Sequence, residues 1–409
     1  MIDEPILQKR ARRFILMTVF IYSAGFGIIM PALPDLIREL EHIGLSEATR
    51  IGAWIGAIYA IFQFLMGPMI GNLGDRFGRR PIFLLSLFAF GLDFLLMGFA
   101  PAISWLFVGR GIAGGLGAIF GPANAAMADL SPPEQRAASF GKVGAAFGFG
   151  FVMGPAIGGF LADWGTRLPF FVAAAMALAN CAYGFFAFPE TMASTARRPF
   201  EWKRANPLGA ILSLGTHKSV LPIASIYFLW LVATNIYPAS WSFFSQAQYG
   251  WNSVMVGVSL TITGISMVIC QAVIIGRAVT KFGERRTAQI GLLFGGSVFL
   301  LYASFPFGWL ALCLAFLSGV QGMAIPALNA MMSRRVPPGH QGELQGLNTS
   351  LAALAILIAN LMYNNMLAWF TGPKAPVHYP GIIFAMSASI TVIALIALLR
   401  LPPAQDGQP

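Results

Sequence analysis

A chain of 409 residues that is 57% apolar and only 10% charged lies far below the roughly 25% charge of soluble domains, which excludes a water-soluble fold. The net charge of +10 does not call for nucleic acid, because the basic residues lie in short loops between apolar segments. Cys181, Cys270 and Cys313 all fall inside apolar segments and the four histidines lack ligand spacing, so neither a disulfide framework nor a metal cluster is expected. No nucleotide loop or nucleophile–base pattern suggests an enzyme.

Taken in order, the chain offers twelve apolar segments near 14–34, 51–71, 81–100, 104–128, 138–162, 168–189, 219–241, 253–275, 287–306, 308–332, 344–370 and 380–400. Most have about the 20 residues that span a bilayer core as a helix. Lys9, Arg10, Arg12 and Arg13 precede the first, and no small-residue cleavage site follows it, so it reads as an anchor helix. Arg38, Arg50, Arg167 and Lys374 occupy the odd-to-even turns; apart from Arg110, the other basic residues lie at the termini or in the opposite loops. This bias places both termini in the cytoplasm.

Between the second and third segments runs Gly71-Asn72-Leu73-Gly74-Asp75-Arg76-Phe77-Gly78-Arg79-Arg80. So short a reversal needs glycine, and its arginines hold it inside. Topology accounts for Arg76, Arg79 and Arg80 but not for Asp75, an acid at a helix end that calls for a nearby cation. Asp129, at the same end of the fourth segment, is a third member of this charged corner.

Residues 190–218 form a basic linker in which Asn206-Pro207-Leu208-Gly209 starts a short interfacial helix. It separates a six-helix bundle (1–189) from a second (219–409). The bundles repeat at an offset of 205 residues: Gly71 matches Gly276, Phe77-Gly78 matches Phe282-Gly283, Asn124 matches Asn329, and Pro132-Pro133 matches Pro337-Pro338. Six spans per unit make the repeats parallel, a plan that places substrate between the halves near mid-membrane.

Two charges lie well inside spans, Asp93 in the third and Arg110 in the fourth. Each is about eight residues, or about 12 Å, from the turn between them, so their depths match. A mid-membrane charge costs about 2.5–3.5 kcal/mol on insertion scales. Such charges pair as a rule, so a purely structural ion pair is an open reading beside a functional one. The fifth span carries Gly150, Gly154-Pro155, Gly158 and Gly159, where small residues allow close packing and proline breaks the backbone ladder. Gln63, Asn124, Gln271 and Asn329 are among the polar residues within spans, each of which also suits plain interhelical hydrogen bonding.

The 71–80 loop resembles the signature loop of the major facilitator superfamily, matching Gly-x-Leu-x-Asp-Arg-x-Gly-Arg-Arg at nearly every position. Gly154-Pro155-x-x-Gly158-Gly159 resembles the antiporter motif of that superfamily's drug exporters, and it occurs once, in the first half. Gly27 to Pro34, Gly250 to Gly257, Ala324 to Leu328 and Ser86…Asp93…Leu96 are similar to the tetracycline/proton antiporters along nearly the whole chain. The resemblance implies an all-α integral membrane protein with twelve transmembrane helices in two parallel six-helix repeats. It implies that Asp75 and Arg79, with Asp129, latch the inner side of an alternating-access carrier, and that Asp93 and Arg110 serve proton coupling. Gln63 and Gln271 resemble the family's cavity glutamines; Tyr22, Asn124 and Asn329 complete the expected cavity. Three departures stand out, because Tyr22, Met267 and Gly295 replace a helix 1 aspartate, a helix 8 histidine and a helix 9 aspartate. Those groups are tied to proton coupling and to magnesium-tetracycline.

The expected function is proton-driven export of a small, largely apolar, tetracycline-like compound across the inner membrane. The alternatives are a proton-independent facilitator or exchanger for a lipid or natural product and a non-transporting receptor or assembly factor on the same scaffold. The expected partners are the small-molecule substrate and the lipid bilayer, with no nucleic acid, and the protein is expected to be a monomer. No cofactor is expected beyond the proton gradient, and magnesium enters only with a chelated tetracycline.

Overall fold

The computed structural model describes residues 4–117, 119–132, 136–192, 197, 199–200, 202, 219–336 and 341–402. All of its regular elements are helical. The first half comprises α1 (Glu4–Glu41), α2 (Leu45–Phe77), α3 (Arg79–Gly98), α4 (Ile103–Leu116), α5 (Phe120–Asp129), α6 (Arg136–Trp164) and α7 (Leu168–Ala187). The second comprises α8 (Leu221–Thr234), α9 (Ile236–Tyr249), α10 (Ser253–Ile269), α11 (Ile275–Ser304), α12 (Gly308–Leu317), α13 (Ala324–Ser333), α14 (Gln341–Thr371) and α15 (Ile382–Arg400). The interfacial helix expected at 206–209 and the Pro337-Pro338 repeat lie outside the described residues.

Among the described residues, 11 helical stretches are long and apolar enough to cross a membrane. The twelfth crossing is hidden in the longest of them, Ser253–Ser304, of 52 residues. Straight, that stretch would run about 78 Å, more than twice the hydrocarbon thickness of a bilayer. It is not straight. Gly283, at φ 76° and ψ 167°, folds it into two arms. Gly78, at φ 102° and ψ 169°, makes the same corner between α2 and α3. Side chains with a Cβ avoid positive φ, so glycine at these two positions is a backbone requirement. The 205-residue repeat is thus a repeat of conformation as well as of sequence.

Several boundaries differ from the sequence expectation. The first helix extends well beyond 14–34, and the seventh span runs on to Tyr249 before Gly250 (φ 66°) closes it. Helices continue into polar turns that hydropathy leaves out. The spans expected as continuous over 104–128 and 308–332 are broken. The first break falls at Gly117, and the second is a 3₁₀ turn over Ser318–Met323. The seventh span breaks at Asn235, whose Nδ2 donates to the Leu231 carbonyl at 2.8 Å. A π turn over Cys270–Ile274 joins α10 to α11.

Each half packs its own aromatic core. Phe14, Phe83, Phe90 and Phe94 are buried in the first, and Trp230, Trp241, Tyr302 and Phe384 in the second. The halves meet along two seams, α2 against α14 and α6 against α10. We call the face with the 71–80 loop inner and the opposite face outer, following the arginine distribution. Cross-half contacts occur at the outer ends: Ser46 Oγ donates to the Ala368 carbonyl at 2.6 Å, and Ser253 Oγ lies 2.9 Å from the Pro31 carbonyl. Toward the inner ends, Gly67, Gly71, Gly141, Gly144 and Gly276 have no atom within 4 Å of where a Cβ would stand. Among the described residues, side-chain hydrogen bonds between the ends of the halves gather at the outer face.

Candidate functional site

The buried polar centre of the first half begins with Asp93. Its side chain is fully buried on α3, and Arg110 on α4 is nearly so. Arg110 Nε donates to Asp93 Oδ1 at 3.2 Å while Nη2 meets Oδ2, giving a two-point pair. The helices approach closely because residue 109 is glycine, where a Cβ would stand 2.6 Å from Asp93 Oδ1. The Arg110 guanidinium also lies over the Tyr59 ring, 5.4 Å from its centroid. Tyr59 and Tyr22 hydroxyls are 3.0 Å apart, and Gln63 Nε2 reaches the Tyr59 oxygen at 3.5 Å. Four helices therefore converge: Tyr22 from α1, Tyr59 and Gln63 from α2, Asp93 from α3 and Arg110 from α4. Isolated burial of either charge would be prohibitive, and mutual pairing makes it tolerable.

Beside this cluster lies an entirely apolar groove of about 530 Å³ between α2 and α4, with Ile58, Phe62, Met66, Val108 and Ile112 on its walls. The other expected cavity residues lie on other elements. Asn124 is half-buried on α5, and Gln271 is exposed in the π turn. Asn329 accepts a hydrogen bond from Asn348 Nδ2 at 2.8 Å, joining α13 to α14. The second half has its own polar point at Gln321, another of the polar residues within spans: its Nε2 donates to the Tyr237 hydroxyl at 3.2 Å. It explains why residue 295 is glycine. A Cβ there would overlap the Trp230 ring and stand 3.2 Å from Gln321 Oε1. Trp230 fills the volume that an acid at 295 would need.

The charged corner forms as a triad. Arg79 Nη1 meets Asp75 Oδ1 at 2.8 Å and Arg79 Nε meets Asp129 Oδ2 at 3.2 Å, tying α2, α3 and α5 together within the first half. Arg76 is exposed, its guanidinium 5.1 Å from the Phe77 ring centroid, and Arg80 Nη2 donates to the Phe185 carbonyl at 2.5 Å. Glu190 was not foreseen. Its carboxylate accepts from the backbone N–H groups of Arg79 at 2.8 Å and Arg80 at 3.3 Å, capping the start of α3. Gly78 is needed a second time here, since a Cβ would overlap that carboxylate.

The second half carries the corresponding pair with its signs exchanged. Glu284 and Arg334 stand 205 residues beyond Arg79 and Asp129, and they meet at 2.8 Å. Thr280, at the position of Asp75, turns back to the Gly276 carbonyl at 2.9 Å.

The fifth-span glycines divide between two neighbours. A Cβ at Gly150, Gly154 or Gly158 would overlap the carbonyls of Phe20, Ala24 and Ile28 in turn, so α6 and α1 touch backbone to backbone at every fourth residue. Gly159 and the Pro155 carbonyl face the other way, while the Pro155 ring lies against Gly27 of α1. A Cβ at Gly159 would stand 2.6 Å from the Ser253 carbonyl, and one at Gly257 would overlap the Pro155 carbonyl. The motif therefore holds the α6–α10 seam between the halves.

Comparison with known proteins agrees with this architecture. The Major Facilitator Superfamily profile matches residues 15–360. The class C tetracycline resistance protein of Escherichia coli is 33% identical over 386 residues, covering 94% of this chain and 96% of that protein. The class B protein of the same organism is 34% identical over 361 residues, with 87% and 89% covered. Among solved structures, a D-xylose–proton symporter superposes with a TM-score of 0.76 at 17% identity, covering 98% of this chain and 99% of that one. With 11 long apolar helical stretches among the described residues, the longest folded in two, a duplicated glycine corner and these relatives, the chain is a multi-pass membrane transporter that belongs to the major facilitator superfamily and, within it, to the family of the tetracycline resistance proteins.

Proposed function

We propose that the protein exports a small, largely apolar organic compound from the cytoplasm by alternating access, in exchange for protons. The observation that carries this reading is the buried Asp93–Arg110 pair with Tyr59, Tyr22 and Gln63 around it. A carboxylate is the simplest proton carrier in a dry site, because burial disfavours its charged form. Arg110 occupies the carboxylate oxygens that a proton would need, so proton exchange requires the pair to part. The apolar groove beside the pair supports an apolar substrate, and the tetracycline resistance relatives make a tetracycline-like compound the first to test. The distribution of basic residues supports both termini in the cytoplasm and residence in the inner membrane.

A second reading is favoured by one observation. Asp93 is already matched by a two-point partner, and Tyr22 and Gly295 remove two further acids. A neutral, permanently closed pair would support proton-independent exchange of a lipid or natural product. Uptake of magnesium-tetracycline into inverted vesicles, with and without a pH gradient, separates the two. Gradient-driven uptake lost in Asp93→Asn supports the proton-coupled reading, and uptake indifferent to the gradient overturns it. No tetracycline movement by folded protein removes that substrate and leads to a wider panel of apolar compounds.

A further inference from the structure

Side chains of the two halves meet at the outer face around one carboxylate. Asp35 lies near the outer end of α1, after the Pro31–Pro34 turn and before Arg38. Ser253 Oγ, at the first turn of α10 in the other half, donates to Asp35 Oδ2 at 2.5 Å. The same hydroxyl reaches the Pro31 carbonyl at 2.9 Å. Gln246 Nε2, from α9 of the second half, approaches Asp35 Oδ1 at 3.5 Å. On its own helix Asp35 has Arg38, whose Nη1 lies 3.6 Å from Oδ1. The carboxylate thus sits at the N-terminus of α10, where unpaired backbone N–H groups favour negative charge. Asn252 caps that helix, its Oδ1 accepting from the Met255 N–H at 3.0 Å, which fixes Ser253 as the residue facing α1.

We propose that Asp35 is the outer latch of the carrier: a positioning carboxylate that ties α1 to α9 and α10 and holds the inward-open arrangement. Its place in the fold suits that role. The seam beside it is backbone-close: a Cβ at Gly159 would stand 2.6 Å from the carbonyl of Ser253, the residue that Asp35 holds, so the carboxylate ties α1 to the outer limit of the α6–α10 contact. The other outer ion pair, Arg167 with Glu39 at 2.9 Å, lies wholly within the first half and supplies a matched control.

The test reads conformation without any substrate, so its failure is distinct from a failure of the drug-export reading. Spin labels go on His42→Cys and Lys374→Cys, one on each half at the outer face, in a chain whose native cysteines are replaced. Pulsed dipolar distances are then measured in nanodiscs. Losing a charge-assisted hydrogen bond predicts a roughly fivefold to tenfold gain of the long-distance, outward-open population in Asp35→Ala. Ser253→Ala gives a similar gain and the double variant little more, because both remove one interaction. Asp35→Asn, which keeps an acceptor, falls between. Glu39→Gln matches the parent. An Asp35→Ala distribution identical to the parent, or one reproduced by Glu39→Gln, overturns the proposal. If Asp35→Ala does not fold, Ser253→Ala, which removes a single hydroxyl, decides the matter by the same criterion.

Discussion

Asp93 and Arg110 were legible as a pair from sequence, because only two charges fall deep inside spans and their distances from the shared turn match. Tyr59 was not, since an aromatic in an apolar helix is indistinguishable from packing until its hydroxyl is seen against Tyr22 and its ring beneath Arg110. Breaking a buried pair leaves an uncompensated charge and costs about 3–5 kcal/mol, whereas removing both partners costs much less. Arg110→Gln alone should therefore lower thermal stability in detergent sharply. Asp93→Asn with Arg110→Gln should recover most of it while gradient-driven uptake stays lost. Position 295 gives a second test. Restoring the relatives' acid with Gly295→Asp should destabilise the protein because Trp230 holds the space, and Gly295→Asp with Trp230→Ala should melt at a higher temperature than Gly295→Asp alone. If the single substitution is silent, Trp230 is not the reason for the glycine.

At the scale of elements, the sequence showed where the chain crosses and missed where it breaks. Hydropathy averages over a span, so the interruptions at Gly117, Asn235 and Ser318–Met323 left no trace in it. The glycine corners were visible because a repeat at one offset preserved them. Their surroundings differ, and so should their sensitivities. Gly78→Ala meets both positive φ and the Glu190 carboxylate, whereas Gly283→Ala meets positive φ with nothing within 4 Å. A Cβ at positive φ with ψ near 170°, a region used almost only by glycine, costs about 1–3 kcal/mol. Gly283→Ala should lose about that much stability and Gly78→Ala more, with Glu190→Ala relieving part of the Gly78→Ala penalty. The α6–α10 seam has a similar logic. Gly257→Ala should separate the two helices, seen as a shorter cross-link yield between cysteines placed across them and as reduced transport.

For the whole molecule, duplication was readable at a constant offset, and the fold followed from it. The relation between the halves was not readable, because seams are made by backbone approach at Gly159 and Gly257 and by single hydroxyls such as Ser46 and Ser253. The charge exchange at the inner corners was present in the sequence but became meaningful only when Glu284 was found on Arg334. Reversing that pair with Glu284→Arg and Arg334→Glu should retain folding and transport, while Glu284→Arg alone should weaken the corner by like-charge repulsion. Thermal unfolding of the three variants decides it, and equal melting temperatures would show that the pair contributes nothing measurable.

The exchanged signs also make the two corners answer differently to the lipid beneath them. Arg79 is 11% exposed between two acids, while Arg334 is 77% exposed on one. Anionic headgroups can therefore compete with Glu284 for Arg334 but scarcely reach Arg79, and they repel the acids that surround it. A leaflet rich in phosphatidylglycerol or cardiolipin would loosen the second half's corner and spare the first's, so that bilayer composition alone makes a duplicated molecule asymmetric.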